Sequence, residues 1–137
     1  MTTPQPGLLD DVAMDQPALA CALELQQRAA KVGFDWDSLP PVLAKVREEL
    51  AELEAEVVSA AGRERMLDEL GDLLFAVANL ARKLGLDPQV ALQGTNAKFR
   101  RRFAALEHQL AQQGRYPQDA SLAEMDAIWE QAKREQR

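Results

Sequence analysis

Histidine and cysteine occur once each in this 137-residue chain, as His108 and Cys21, and aromatic side chains make up only 5% of it. A lone Cys21 cannot close an intramolecular disulfide, so the fold must stand on its core alone. No charged start followed by an apolar stretch and a small-residue cleavage site opens the chain, and a reducing, cytoplasmic setting is expected. A single histidine also excludes the paired Glu-x-x-His ligands of ferritin-like di-iron bundles and leaves His108 to be read as a surface residue. The longest nearly apolar run, residues 73–81, falls far short of the roughly 20 residues that span a bilayer, so a soluble protein without a membrane partner is expected. Excess positive charge is missing as well. A net charge of -6 and a pI near 4.8 argue against nucleic acid, whose binders present a basic face, with the arginine run at 100–102 as the local exception.

Ala, Leu, Glu, Gln and Arg fill most positions, and these are strong helix formers, so the fold class is all-α. The length suits one domain able to bury its own core. Residues 1–14 hold two prolines and a glycine without sustained periodicity and read as a flexible or loosely docked lead-in to a domain over 15–137. The first helix is expected to begin near Asp15, which can cap it, with Pro17 in its first turn, and to stop before Gly33. Ser38, followed by Pro40 and Pro41, opens a second, whose Val42, Val46, Leu50, Leu53 and Val57 recur at helical spacing as a core-facing stripe. A third spans 63–84 and ends at Gly85. Its middle, LLFAVANLA, is apolar nearly all round, which predicts a central bundle position or a subunit interface. Asp87-Pro88 opens a fourth, running to 113, and Ser121 with Glu124 forms a capping box for a fifth. A bundle of four to five helices follows.

The second helix carries REELAELEAE, with five carboxylates where like charges three or four apart destabilise by a few tenths of a kcal/mol per pair. At about 100° per residue, Glu49, Glu52 and Glu56 share one edge of the apolar stripe. Glu69 and Asp72 share a face of the third helix, and Asn79 continues their line. Two readings fit the spacing. One is a solvated acidic surface. The other has antiparallel helices converging the two acidic pairs on a hard divalent cation, which prefers oxygen ligands and keeps positions open for phosphate.

Glu48-Glu49-x-x-Glu52 followed by Glu69-x-x-Asp72 resembles the EExxE and ExxD signature of MazG-type nucleoside triphosphate pyrophosphohydrolases. RAAKVGFDW (28–36), DELGDLLFAVANLARKLG (68–85), NAKFRRRF (96–103) and IWEQAK (128–133) are similar to segments of the family's catalytic half, in the same order. The resemblance implies an all-α domain that cleaves nucleoside triphosphates, ribo or deoxy, to the monophosphate and pyrophosphate by water attack on the α-phosphorus, as nucleotide-pool house-cleaning. It implies Mg2+, with Mn2+ as the alternative, held by Glu49, Glu52, Glu69 and Asp72, and Glu48 or Glu49 as the general base. Lys98 and Arg102 would bind the triphosphate, assisted by Arg65. Trp129 and Lys133 match positions near the nucleotide, although Trp129 also reads as a core residue, and Trp36 reads as anchoring its loop with Phe34. A homodimer is implied, or a tetramer.

The chain departs from the family in three respects. Full-length members carry two such domains, whereas this chain has one, and Glu24 and Gln27 stand where relatives carry lysines. A base-restricted dUTPase or dCTPase of the same superfamily is the neighbouring reading, against which the GFDW and NAKFRRRF segments weigh. A non-enzymatic acidic module docking a basic partner is the reading from another class.

Overall fold

The computed structural model describes residues 7–136 and divides into two compact units, one up to Gln89 and one from Val90 onward. Every regular element among the described residues is helical. The first unit contains α1 (Ala18–Lys31), α2 (Leu39–Val58) and α3 (Arg63–Lys83), and the second is built from α4 (Pro88–Ala111) and α5 (Leu122–Glu135).

α1 starts three residues later than Asp15. A residue before proline is driven out of the helical region, so Gln16 cannot join, and Pro17 becomes the extended N-cap whose carbonyl accepts the first helical bond, from Cys21 N at 2.9 Å. Of the expected lead-in, residues 1–6 lie outside the described residues. Residues 7–14 dock on α1 through an ion pair between Asp11 and Arg28 and through Cys21 Sγ, which donates to Met14 Sδ at 3.7 Å, and Val12 among them is buried. Ser38 is the N-cap of α2, and Pro40 lies in its first turn, where no backbone N–H is required.

A short turn joins α2 to α3. Ala60 N donates to the Val57 carbonyl and Ala61 N to the Glu56 carbonyl, the paired bonds that terminate a helix when the next residue turns left-handed. Ala60 does so at φ 55, a region that usually falls to glycine, as Gly33 shows at the same place after α1 (φ 93). The turn lays α3 antiparallel on α2, with Glu56 meeting Arg65 near the turn and Glu49 meeting Asp72 further along. α1 packs on α3 and α2 on its neighbouring side.

The core of this unit is small. Cys21, Val42, Ala76 and Ala78 are buried, but Leu50 and Val57 of the expected α2 stripe are 52% and 57% exposed. Likewise α3 is not buried on every side. Two helices cover only part of its circumference within the unit, and Leu74, Phe75 and Val77 stay open to solvent.

In the second unit Leu106 and Leu110 of α4 meet Ile128 of α5, with Ala120, Met125 and Trp129 against them. Ser121 caps α5 by accepting from Glu124 N at 3.1 Å. The Glu124 carboxylate binds Arg115 Nη2 at 2.8 Å, and that guanidinium holds its carboxyl below the usual range.

Candidate metal centre

Glu49 faces inward from α2 because it follows Val42 by two turns of helix, and it is 6% exposed. Glu69 and Asp72 stand one turn apart on α3. One carboxylate oxygen from each of Glu49, Glu69 and Asp72 lies within 4.8 Å of the others. Lys45 Nζ sits 3.0 Å from Glu49 Oε1 and 3.5 Å from Glu48 Oε2, while Glu49 Oε2 and Glu69 Oε2 are buried without a hydrogen-bond partner. Glu52, exposed one turn beyond Glu49, has its carboxyl pushed up, first by a hydrogen bond to Glu49 and then by the charges of Glu49, Glu69 and Glu48.

Acidic surfaces are common, but buried carboxylate oxygens without a proton donor are costly. A cation offers each orphaned oxygen what no neighbouring side chain does. An all-oxygen donor set with one half-open edge fits a hard divalent ion such as Mg2+ or Mn2+.

Beside the cluster lies a cavity of about 750 Å3, walled on one side by Lys45, Glu49 and Asp72 and on the other by Leu25, Trp36 and Phe75. Its rim is clamped. Asp35, in the loop after α1, receives Arg82 Nη2 at 2.6 Å and Lys83 Nζ at 3.3 Å, and Lys83 also donates to the Trp36 carbonyl at 2.7 Å. These bonds, Arg82 foremost, hold the Asp35 carboxyl down to about 2. Phe34 is 81% exposed and Trp36 47%, so this loop is fastened by the ion pairs rather than by its aromatic rings.

The other residues singled out from the sequence fall elsewhere. Glu48 is an exposed neighbour of the cluster, outside its three converging oxygens. Arg65 has a 74% exposed side chain and pairs with Glu56 at 3.0 Å. In the second unit Lys98 is exposed, Arg102 is half-buried with Nε lacking a partner, and Lys133 is half-buried. Trp129 packs on the Leu106, Leu110 and Ile128 core with its ring 5.0 Å from that of Phe99. Sequence reasoning missed Lys45, although its place four residues before Glu49 is a legible i,i+4 pair, and it missed Gln26 and Arg82, whose roles arise only when helices meet.

Residues 39–105 match the MazG nucleotide pyrophosphohydrolase domain. The chain is 43% identical over 133 residues to the nucleoside triphosphate pyrophosphohydrolase of Escherichia coli K12, covering 96% of this chain and 51% of that protein. It is 38% identical over 117 residues to the nucleoside triphosphate pyrophosphohydrolase/pyrophosphatase MazG of Thermotoga maritima, covering 85% of this chain and 44% of that one. It is also 43% identical over 135 residues to the uncharacterized protein YabN of Bacillus subtilis, covering 98% and 28%. The chain spans about half or less of the length of these curated relatives. The α2–α3 pair with its converging carboxylates lies inside the matched segment, and the chain therefore carries a domain of the MazG nucleotide pyrophosphohydrolase family.

Proposed function

We propose that this chain hydrolyses ribo- or deoxynucleoside triphosphates to nucleoside monophosphate and pyrophosphate. The observation that carries the reading is the convergence of Glu49, Glu69 and Asp72 with two buried oxygens left unpartnered, inside the segment that matches the family. Glu49, Glu69 and Asp72, with Glu52 adjoining, would hold Mg2+ or Mn2+, which when bound supplies charge neutralisation at phosphate oxygens and a more acidic water. Lys45 holds Glu49 in place. Glu48, exposed beside the cluster, would take the proton from the attacking water, with Glu49 as the other candidate. The water's oxygen bonds to the α-phosphorus as the bond to the α,β-bridging oxygen breaks, and pyrophosphate leaves. Lys98 and Arg102, assisted by Arg65, would bind the triphosphate, and Trp129 and Lys133 would lie near the bound nucleotide. Those roles rest on the family resemblance alone.

We further propose a homodimer, with a tetramer as the larger alternative, supported by Leu67, Leu70, Leu74 and Val77, which recur at three, four and three residues along α3 and are all at least 42% exposed. No helix among the described residues is long and apolar enough to cross a membrane. Cytoplasmic nucleotide-pool cleaning is the setting this activity would serve.

The experiment is pyrophosphate release from a panel of NTPs, dNTPs and oxidised analogues, with and without Mg2+, for wild type and Glu52→Gln. Release that needs Mg2+, yields the monophosphate and falls about hundredfold or more in the variant is the expected result. A folded protein that releases nothing from any substrate overturns it and leaves an acidic docking module. A panel response confined to dUTP or dCTP would place the chain with the base-restricted enzymes.

A further inference from the structure

The cavity beside the acidic cluster contains a polar group that phosphate chemistry does not employ. Gln26 projects from α1 into the junction with α3 and is 7% exposed. Its Nε2 donates to the Phe75 carbonyl at 2.9 Å. Only the amide NH2 can donate to a carbonyl, so this bond fixes which way the amide points. The acceptor, Oε1, is buried with no partner. Gln26 nevertheless lines the cavity together with Asn79, whose Oδ1 is occupied by Arg82 Nε at 3.0 Å, leaving the Asn79 NH2 as a donor. A donor and an acceptor thus stand in a space otherwise walled by Leu25, Ala29, Phe75 and Trp36. Its volume falls within the roughly 300–1,000 Å3 typical of small-molecule sites.

Two further features bear on what this space receives. A buried acceptor is costly unless something donates to it, and a phosphate offers no N–H. Trp36 is a large ring kept 47% exposed at the cavity rim by backbone and ion-pair bonds of its loop, an arrangement that core packing does not require. A flat ring bearing N–H on one edge satisfies both.

We propose that this cavity takes the nucleobase and that Gln26 determines base specificity, its Oε1 accepting an N–H from the base edge while Trp36 stacks on the ring face. This rests on the nucleotide reading of the neighbouring carboxylates. A site built to accept an N–H rejects the analogue in which methyl groups replace it, because the acceptor is then left unpaired and crowded. Trp36, contacting the face shared by every base, contributes affinity without discrimination.

Calorimetric titration tests the assignment without turnover. The chain, with Mg2+ present, is titrated with AMP, GMP, CMP and UMP and with the monophosphates of N6,N6-dimethyladenosine, N1,N2,N2-trimethylguanosine, N4,N4-dimethylcytidine and 3-methyluridine. Wild type should bind the preferred parent about tenfold or more tightly than its methylated partner. Gln26→Met, of matched length, should weaken the parent about tenfold and erase the preference. Trp36→Ala should weaken parent and methylated forms by the same factor. Gln26→Met with the wild-type ratio overturns the proposal. Should that variant fail to fold, wild type alone decides, since equal binding of parent and methylated forms overturns it too. Magnesium-dependent cleavage without base discrimination sinks this assignment and spares the proposed activity, whereas base discrimination without cleavage does the reverse.

Discussion

Where α1, α2 and α3 meet, the polar Gln26 and Glu49 are buried among Cys21, Val42, Ala76 and Ala78, whereas the junction of α4 and α5 buries Leu106, Leu110 and Ile128. The second junction is held by apolar area, and its prominent ion pair, Arg115 with Glu124, is complete. The first encloses two carboxylate oxygens and an amide oxygen that no donor among the described residues satisfies. An interior of that kind gives up stability in the ligand-free protein and recovers it on binding, because a ligand that binds only the folded state shifts the folding equilibrium toward it. The second unit also buries Arg102 Nε and Gln136 Oε1 without partners, so what distinguishes the first is that Gln26 and Glu49 set theirs beside one cavity.

The contrast can be broken hardest at Leu110, which is fully buried. Leu110→Ala should cost about 3 kcal/mol in urea denaturation, and Mg2+ should not offset the loss. A cost below about 1 kcal/mol would mean that the second unit does not rest on this cluster.

A smaller effect is expected at Asp35. Its carboxyl titrates at about 2 in the folded chain against 3.8 ordinarily, because Arg82 and Lys83 favour its charge. The folded state therefore gains from Asp35 at every pH above 3.8, and that gain drains away as pH falls from 3.8 toward 2. With the side chain 23% exposed, solvent screening limits it to about 1 kcal/mol. Asp35→Asn should lose this amount at pH 7 and flatten the acid limb of the stability curve. An unchanged limb would show that the clamp on the Trp36 loop is energetically idle.

The smallest change sharpens the comparison most. The carboxyl of Glu52 is raised by its acidic neighbours, so its contribution runs the other way, favouring the fold below the ordinary value of 4.5 and opposing it as pH rises. In metal-free protein at pH 7, Glu52→Gln should melt slightly higher than wild type through relief of like-charge repulsion. With saturating Mg2+ the order should invert, with wild type melting higher. Identical melting temperatures under both conditions would remove the acidic cluster from the account of the first unit.

Much of this architecture is written in local pattern. Proline and serine mark the starts of α2 and α5, Gly33, Gly85 and Gly114 follow the ends of α1, α3 and α4 in the left-handed region, and spacing alone puts Glu69 and Asp72 on one face. The start of α1 was misread because the effect of Pro17 on Gln16 outweighs the capping preference of Asp15. Leu50 and Val57 of the expected core-facing stripe are exposed, since periodicity tells which residues share a face but not whether another helix arrives to cover it, whereas the exposed Leu74 and Val77 leave only the subunit-interface alternative for α3. Gln26 gave no signal for a different reason. A glutamine in a helix is ordinary, and only the meeting of α1 with the Phe75 carbonyl makes one of its atoms a donor already spent and the other an acceptor still waiting.

The turn at Ala60 also bears on how the first unit assembles. It joins the two helices that carry Glu49, Glu52, Glu69 and Asp72, so the whole acidic set is drawn together by closing a single hairpin. Contacts between near neighbours in the chain demand little loop-closure entropy and form early. The carboxylates would then be crowded together before α1 arrives to shut Gln26 and the cavity, so that cation concentration could alter the rate of folding as well as the equilibrium.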